Sequence, residues 1–298
     1  MTRDLIGYGE TPPEVGWPDG ARVAVNIVIN YEEGSENRVE DGADRRESMG
    51  EAPSPVPAEQ RDLANESFFE YGSRAGYWRL LRVLDEHRVK GTIFACAVAF
   101  ERNPEAARAA TARGWDICAH GNRWEEHWLM EREAERAAIA RAVTSITETA
   151  GQAPLGWYCR YGPSVNTREL VVAQKSFLYD SDSYADDLPY YVKSAAGPWL
   201  VIPYALDTSD IRFWRGSLQV ADDFSTYLCD AFDQLWEEGD TRSRMMSVGL
   251  HCRIAGRPAR ARGLARFLEH AERRGQVWFA TRGEIARHWR ADHHPERP

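Results

Sequence analysis

The stretch Val23-Ala24-Val25-Asn26-Ile27-Val28-Ile29, followed by Asn30-Tyr31-Glu32-Glu33-Gly34, decides how this chain is read. Its first seven residues form a short run rich in β-branched side chains, the pattern of a buried strand. The run ends in two adjacent carboxylates. Outward from it, further apolar runs occur at 92–95, 115–119, 155–159, 177–179, 199–202, 245–250 and 277–280. Segments of helical period lie between them. Residues 72–87 place Tyr77, Leu80, Leu81 and Leu84 on one face, and 222–237 do the same with Phe224, Tyr227, Leu228 and Leu235. Residues 104–113 open on Pro104, which is permitted in a first turn. Helices are also predicted over 131–149, 166–173 and 259–273. Strands alternating with helices predict an α/β fold with parallel strands and crossover helices, and the number of strands suggests a barrel.

In such barrels chemistry gathers at the C-terminal ends of the strands. Six of the predicted strands end in ionisable groups: Glu32-Glu33, His120-Gly121-Asn122-Arg123-Trp124, Arg160-Tyr161-Gly162-Pro163, Asp180-Ser181-Asp182, Asp207-Thr208-Ser209-Asp210 and His251-Cys252-Arg253. A rim of carboxylates and imidazoles is expected to be an active site.

Composition narrows the function classes. The 298 residues carry a formal charge of -9, against a dedicated nucleic-acid binder. No apolar window is long enough for a membrane helix. The start Met1-Thr2-Arg3-Asp4 lacks an apolar signal segment. The five cysteines (Cys96, Cys118, Cys159, Cys229, Cys252) form no C-x-x-C pair. A reduced, cytoplasmic protein is expected, with Cys159 and Cys252 inert. A single domain over 1–298 is expected, with one long excursion at 35–66. That segment holds nine acidic and four basic residues and Pro53, Pro55 and Pro57, and it reads as a long loop or lid. The arginine-rich helix near 257–274 reads as a solvated face or a subunit contact.

In the order of its motifs the chain resembles the polysaccharide deacetylase superfamily: an acidic pair, a histidine motif, an Arg–Pro motif, an Asp motif and a closing Leu-His. The resemblance implies a distorted (β/α) barrel of about seven strands. Typical members carry an Asp-Asp pair, one a general base and the other a metal ligand, and two histidines four residues apart as further ligands. Here the pair is Glu32-Glu33, the first histidine is His120, and the second falls on Trp124, which binds no metal. His127 is out of register. The closing motif is Leu250-His251. With a ligand lost, metal-assisted hydrolysis is disfavoured, since a catalytic zinc generally needs three protein ligands. Longer strings resemble the cofactor-independent allantoinases and their cyclic-imide-hydrolysing relatives: 3–9, 30–34, 70–76, 120–124, 178–182, 186–190 and 250–253. The segment 159–168 and the acidic excursion depart from that pattern.

That resemblance implies a hydrolase opening a small cyclic amide ring, with no metal and no cofactor, as a homo-oligomer and specifically a tetramer. A cyclic imide is the alternative substrate. A sugar N-deacetylase is the alternative of another type; it would need a metal. A non-catalytic binding protein is the third reading. Ring opening requires an activated water, a stabilised oxyanion and a proton for the leaving nitrogen. Glu32 and Glu33 are the candidates for the base. Position-matching favours Glu32, but Glu33 is expected to be the base, facing the imidazoles. His120 and His251 are the candidate proton donors or oxyanion partners, and Asp207 or Asp210 is expected to fix a histidine's tautomer. Trp124, Arg160, Tyr161 and Asn166 are the expected substrate-binding residues. Trp124 would stack on a flat ring or fill the vacant ligand position. Arg160 would orient a carbonyl or pair with Asp180 or Asp210.

Overall fold

Nine strands occur among the residues described by the computed structural model, 3–50 and 52–293. Met1 and Thr2, read above for a signal segment, and Glu51 of the long excursion lie outside those residues. The strands are β1 (Val23–Tyr31), β2 (Gly91–Ala95), β3 (Asp116–Ala119), β4 (Gly156–Trp157), β5 (Tyr179–Asp180), β6 (Tyr190–Ser194), β7 (Gly197–Val201), β8 (Arg244–His251) and β9 (Val277–Phe279). Their order is β6-β7-β5-β4-β3-β2-β1-β8, a curled half-barrel, with β9 pairing to β1. Every pairing is parallel except the β6–β7 hairpin. Each apolar run read from the sequence overlaps a strand. The hairpin partner β6 was missed, and its Tyr190–Ser194 has no fully buried residue to give it an apolar signal.

All nine residues of β1 are buried, because the strand pairs with β8 on one edge and with β2 and β9 on the other. Its period of two divides them between two layers. Val23, Val25, Ile27, Ile29 and Tyr31 pack outward against the helices. Ala24 and Val28 point inward with Phe94, Cys118, Tyr158, Tyr179, Tyr204 and Met245. Asn26 and Asn30 share that inner face, which is therefore partly polar. Asn26 Nδ2 donates to the Met246 carbonyl, and Asn30 Nδ2 to the Leu250 carbonyl and Tyr204 Oη. The buried Arg282 guanidinium donates to Asn26 Oδ1, Ser247 Oγ and Ser181 Oγ. It enters from the helix Arg282–Asp292, whose start is fixed by the Thr281–Glu284 capping box.

The excursion after β1 is not a solvated loop throughout. It contains the short helix Val39–Asp41, and helix Leu63–Tyr71 begins inside its predicted span, capped by the Asp62 carboxylate on the N–H groups of Ala64 and Asn65. Glu47, near its middle, is buried and pairs with Arg160 at 2.7 Å. The arginine-rich helix Pro258–Arg274 buries Leu264, Phe267 and Leu268 and packs on helix Ala221–Glu238. Arg260 and Arg274 lie over Phe213 and Trp236, so part of its charge is held within the chain. Among the described residues no helix is long and apolar enough to cross a membrane.

Candidate active site

The inner face of β1 continues past the strand's end. Residues 24, 26, 28 and 30 face inward, and Glu32 follows the same parity. Its carboxylate reaches two imidazoles: Oε1 lies 3.3 Å from His120 Nε2 and 3.5 Å from His251 Nε2. His120 follows Asp116 and Cys118 inward from β3, and His251 closes β8 on the inner parity of Met245 and Ser247. The three side chains therefore converge because β3, β1 and β8, parallel strands of one curled sheet, end at one level.

Each histidine is fixed from behind. His120 Nδ1 is 2.8 Å from the Tyr158 carbonyl oxygen. A carbonyl only accepts, so Nδ1 carries a proton, and Nε2 is the ring nitrogen turned to the Glu32 carboxylate. His251 Nδ1 lies 2.7 Å from Asp210 Oδ1. Asp210 is itself immobile, since Oδ2 accepts the backbone N–H groups of His251 and Ala255 at 2.7 and 2.9 Å. Burial disfavours charge on His251, but Asp210 and Glu32 outweigh it, and its pKa rises above the ordinary histidine value.

The far side of Glu32 is taken by an arginine. Arg253 Nη1 donates to Glu32 Oε2 at 2.7 Å, and Arg253 Nε donates to the Met49 carbonyl. Phe69 lies against the buried guanidinium, its ring centroid 4.5 Å away. Burial alone would raise the Glu32 carboxyl, but Arg253, His251 and His120 hold it well below the usual carboxylate range. Arg253 carried no assigned role in the sequence reading. Its signal was present, because a buried acidic pair requires a counter-charge and Arg253 stands two residues after His251.

Glu33 is a correction. It was expected to face the imidazoles, yet it continues the outward parity of Tyr31. It accepts the N–H groups of Glu32 and Arg253 at 3.1 and 3.2 Å. It packs on Gly72, where a Cβ would collide with its carboxylate. Burial, opposed by Arg253 and reinforced by Glu32, pushes its carboxyl up to about 7.

A cavity of about 200 Å³ opens over the Glu32 and histidine cluster. Its walls include Trp124, Trp128, Tyr158, Tyr161 and Tyr204, with Asn30, Glu126, Arg160 and Ser209 as polar groups. Trp124 is buried, and the Arg160 guanidinium stacks over its ring at 3.9 Å. Arg160 pairs with Glu47 and Glu126, not with Asp180 or Asp210 as one reading expected. Tyr161 stands exposed at the mouth. Asn166 is a second correction: it does not line the cavity, but accepts a bond from Arg132 and donates its backbone N–H to Ser164 Oγ. Asp207 is not with the histidines either; it accepts a bond from Tyr227 Oη. Cys159 and Cys252 are buried, and that burial pushes their thiols well above the ordinary range. Tyr158, Tyr204, Glu47 and Met49 were missed, because aromatic and loop residues carry no motif of their own.

The metal that the superfamily's typical members hold does not fit these residues. Trp124 occupies the second histidine position, Glu33 binds backbone N–H groups, and the Glu32 carboxylate already has a guanidinium as its cation. His127 is turned away, its Nδ1 3.2 Å from Glu135. Among the described residues no three His, Cys, Asp or Glu side chains have the arrangement of a metal site.

Comparison with known proteins agrees with this architecture. Residues 66–178 match the family model described as "Polysaccharide deacetylase". A putative polysaccharide deacetylase of Schizosaccharomyces pombe is 38% identical, with 98% of each chain covered. The crystal structure of a probable polysaccharide deacetylase from Pseudomonas aeruginosa superposes with a TM-score of 0.94 at 47% identity, covering 98% of this chain and 99% of that one. The crystal structure of PuuE allantoinase gives a TM-score of 0.94 at 46% identity, covering 98% of both chains. The chain belongs to the polysaccharide deacetylase family of hydrolases.

Proposed function

We propose that this chain hydrolyses a C–N bond in a small cyclic amide without a metal, and that allantoin or a close relative is the substrate. The observation that carries the reading is the single carboxylate oxygen, Glu32 Oε1, set between His120 Nε2 at 3.3 Å and His251 Nε2 at 3.5 Å. Its other oxygen bonds to Arg253, not to a ligand set for zinc. The likeness to an allantoinase over 98% of both chains supports the substrate class. The cavity of about 200 Å³ supports it too. Drug-sized ligands occupy roughly 300–1,000 Å³, so this cavity suits one small ring and is short for a polysaccharide strand. Tryptophan and tyrosine walls suit a planar ring.

In this reading His120, its Nδ1 proton held on the Tyr158 carbonyl, uses Nε2 to remove a proton from water as the water oxygen attacks the ring carbonyl. Glu32, ionised and held low by Arg253, is too weak a base for that step. It stabilises the His120 imidazolium as it forms and keeps the two rings in place. His251, kept protonated by Asp210, gives its Nε2 proton to the ring nitrogen as the C–N bond breaks. The proton taken by His120 then returns to His251 or to solvent, and the cycle closes. Trp124 and Arg160 form the wall against which the ring lies.

The test is an assay of the purified chain against allantoin, hydantoin, succinimide and an N-acetylated sugar oligomer, with product identification. Ring-opened acid from allantoin or hydantoin, and no acetate, is the expected result. Turnover of succinimide alone would make the chain a cyclic imide hydrolase. Acetate from the sugar alone would make it an N-deacetylase and end the reading.

A further inference from the structure

The cavity wall is built by two loops, 121–129 and 160–167, and neither belongs to the sheet. The first carries Trp124, Glu126 and Trp128. The second carries Arg160 and Tyr161. They touch at the cavity, where Arg160 Nη1 donates to the Trp124 carbonyl at 3.0 Å. Behind the wall lies Glu135, on the first turn of helix Arg132–Ala150, fully buried and out of reach of the cavity.

Three side-chain donors meet its carboxylate. His127 Nδ1, from the first loop, is 3.2 Å from Oε1. Ser164 Oγ donates to Oε2 at 2.6 Å, and Thr167 Oγ1 donates to Oε1, both from the second loop or its junction with helix Thr167–Ala173. Burial would raise this carboxyl, but these three bonds hold it below the ordinary range. A buried carboxylate without such donors would be strongly destabilising, so the donors and the loops that carry them are held to one geometry. The His127 ring is fixed further by its edge contact with Trp157, at 5.3 Å between centroids. The same Ser164 hydroxyl accepts the Asn166 N–H.

We propose that Glu135 is a positioning residue for substrate binding, its one carboxylate locking the two loops of the cavity wall in register from behind. The inference rests on the reading that the cavity takes a small ring. Glu32, His120 and His251 are anchored separately, on β1, β3 and β8, with no bond to Glu135. Releasing the lock therefore displaces the wall and leaves the reacting groups where they are. A displacement of about 1 Å in a binding wall is enough to cost on the order of 10²-fold.

The test uses the full chain with Glu135→Met, which keeps the side chain's length and removes both acceptors. With allantoin as the probe, KM is expected to rise about tenfold or more while kcat stays within about threefold. Glu135→Gln, which retains one acceptor, restores most of that loss. Hydrogen–deuterium exchange is the second measurement and needs no substrate. In Glu135→Met, exchange quickens in both 121–129 and 160–167. In the double variant Ser164→Ala/Thr167→Val it quickens in 160–167 alone, because His127 keeps its partner. Should Glu135→Met fail to fold, the double variant carries the KM test. A fall in kcat with KM unchanged, or exchange unchanged in either loop of Glu135→Met, overturns the proposal. If the wild-type chain does not turn over allantoin, the functional reading has failed, and the exchange result decides the positioning role by itself.

Discussion

Glu32→Gln is expected to lower kcat by about 10²–10⁴-fold, with substrate binding largely retained. The amide keeps the shape of the side chain but removes the charge that both imidazoles face at 3.3 and 3.5 Å. The imidazolium of His120 then forms without its carboxylate, and His251 loses one of the two charges that keep it protonated. Arg253 is also left buried with a neutral partner at Oε2, so a lower melting temperature should accompany the loss of rate. The matched control is Glu33→Gln. Glu33 shares the burial and the neighbouring arginine but faces the helices, and its carboxyl at about 7 is already half neutral near neutral pH. Its variant should keep activity within about tenfold, well short of the loss expected for a general acid or base. Steady-state kinetics of the two variants side by side decide the matter. A dead Glu33→Gln beside an active Glu32→Gln would reverse the assignment.

Asp210→Asn should cost about 10²-fold or more in kcat, and it should move the pH profile. Oδ2 of Asp210 accepts two backbone N–H groups, from His251 and Ala255. An asparagine keeps its carbonyl oxygen on those donors, because an NH₂ there would oppose two N–H groups. The NH₂ is then turned to His251 Nδ1, where a proton donor already stands, and the ring is forced into the wrong tautomer. The sign of the pH effect follows from the cause of the shift. Asp210 and Glu32 overcome burial to raise the His251 pKa above its ordinary 6.5, so in the wild type the proton-donating form persists above that pH. Activity falls as pH rises through the raised value. Without the Asp210 charge, burial dominates and the pKa falls, so the alkaline loss of activity begins at lower pH. A profile with the same alkaline limb and only a lower plateau would mean that Asp210 serves the fold and not the proton.

Much of this was legible in the sequence because two periods do most of the work. The run from Val23 to Ile29 announced a strand buried on both faces, and the ionisable groups after 119 and 250 announced where two further strands of the sheet end. Glu32, His120 and His251 meet at those strand ends, and Asp210 joins them from the segment before the helix Ile211–Trp214. Glu33 was misjudged for an instructive reason. Two consecutive residues on a strand face opposite ways, and the reading allowed the chain to turn early enough to bring both inward. The chain instead turns after Glu33, where Gly34 has a positive φ of 92° and Ser35 N–H returns to the Glu32 carbonyl. Asn166 was misplaced because a polar residue near an Arg–Pro motif looks the same whether it faces a ligand or precedes a helix. Glu47 and Tyr158 reach the site across long separations in the chain, and no local pattern announces such contacts. Strand β6 escaped because it pairs in a hairpin at the sheet's margin, where half-exposed residues replace an apolar run.

The central claim is that a guanidinium and two imidazoles around Glu32 do without a metal. The rate of allantoin opening after exhaustive chelation, with metal content measured on the same sample, tests it most directly. Metal-depleted enzyme is expected to keep its full rate, with no increase on adding zinc. A large loss on chelation that zinc restores would contradict it.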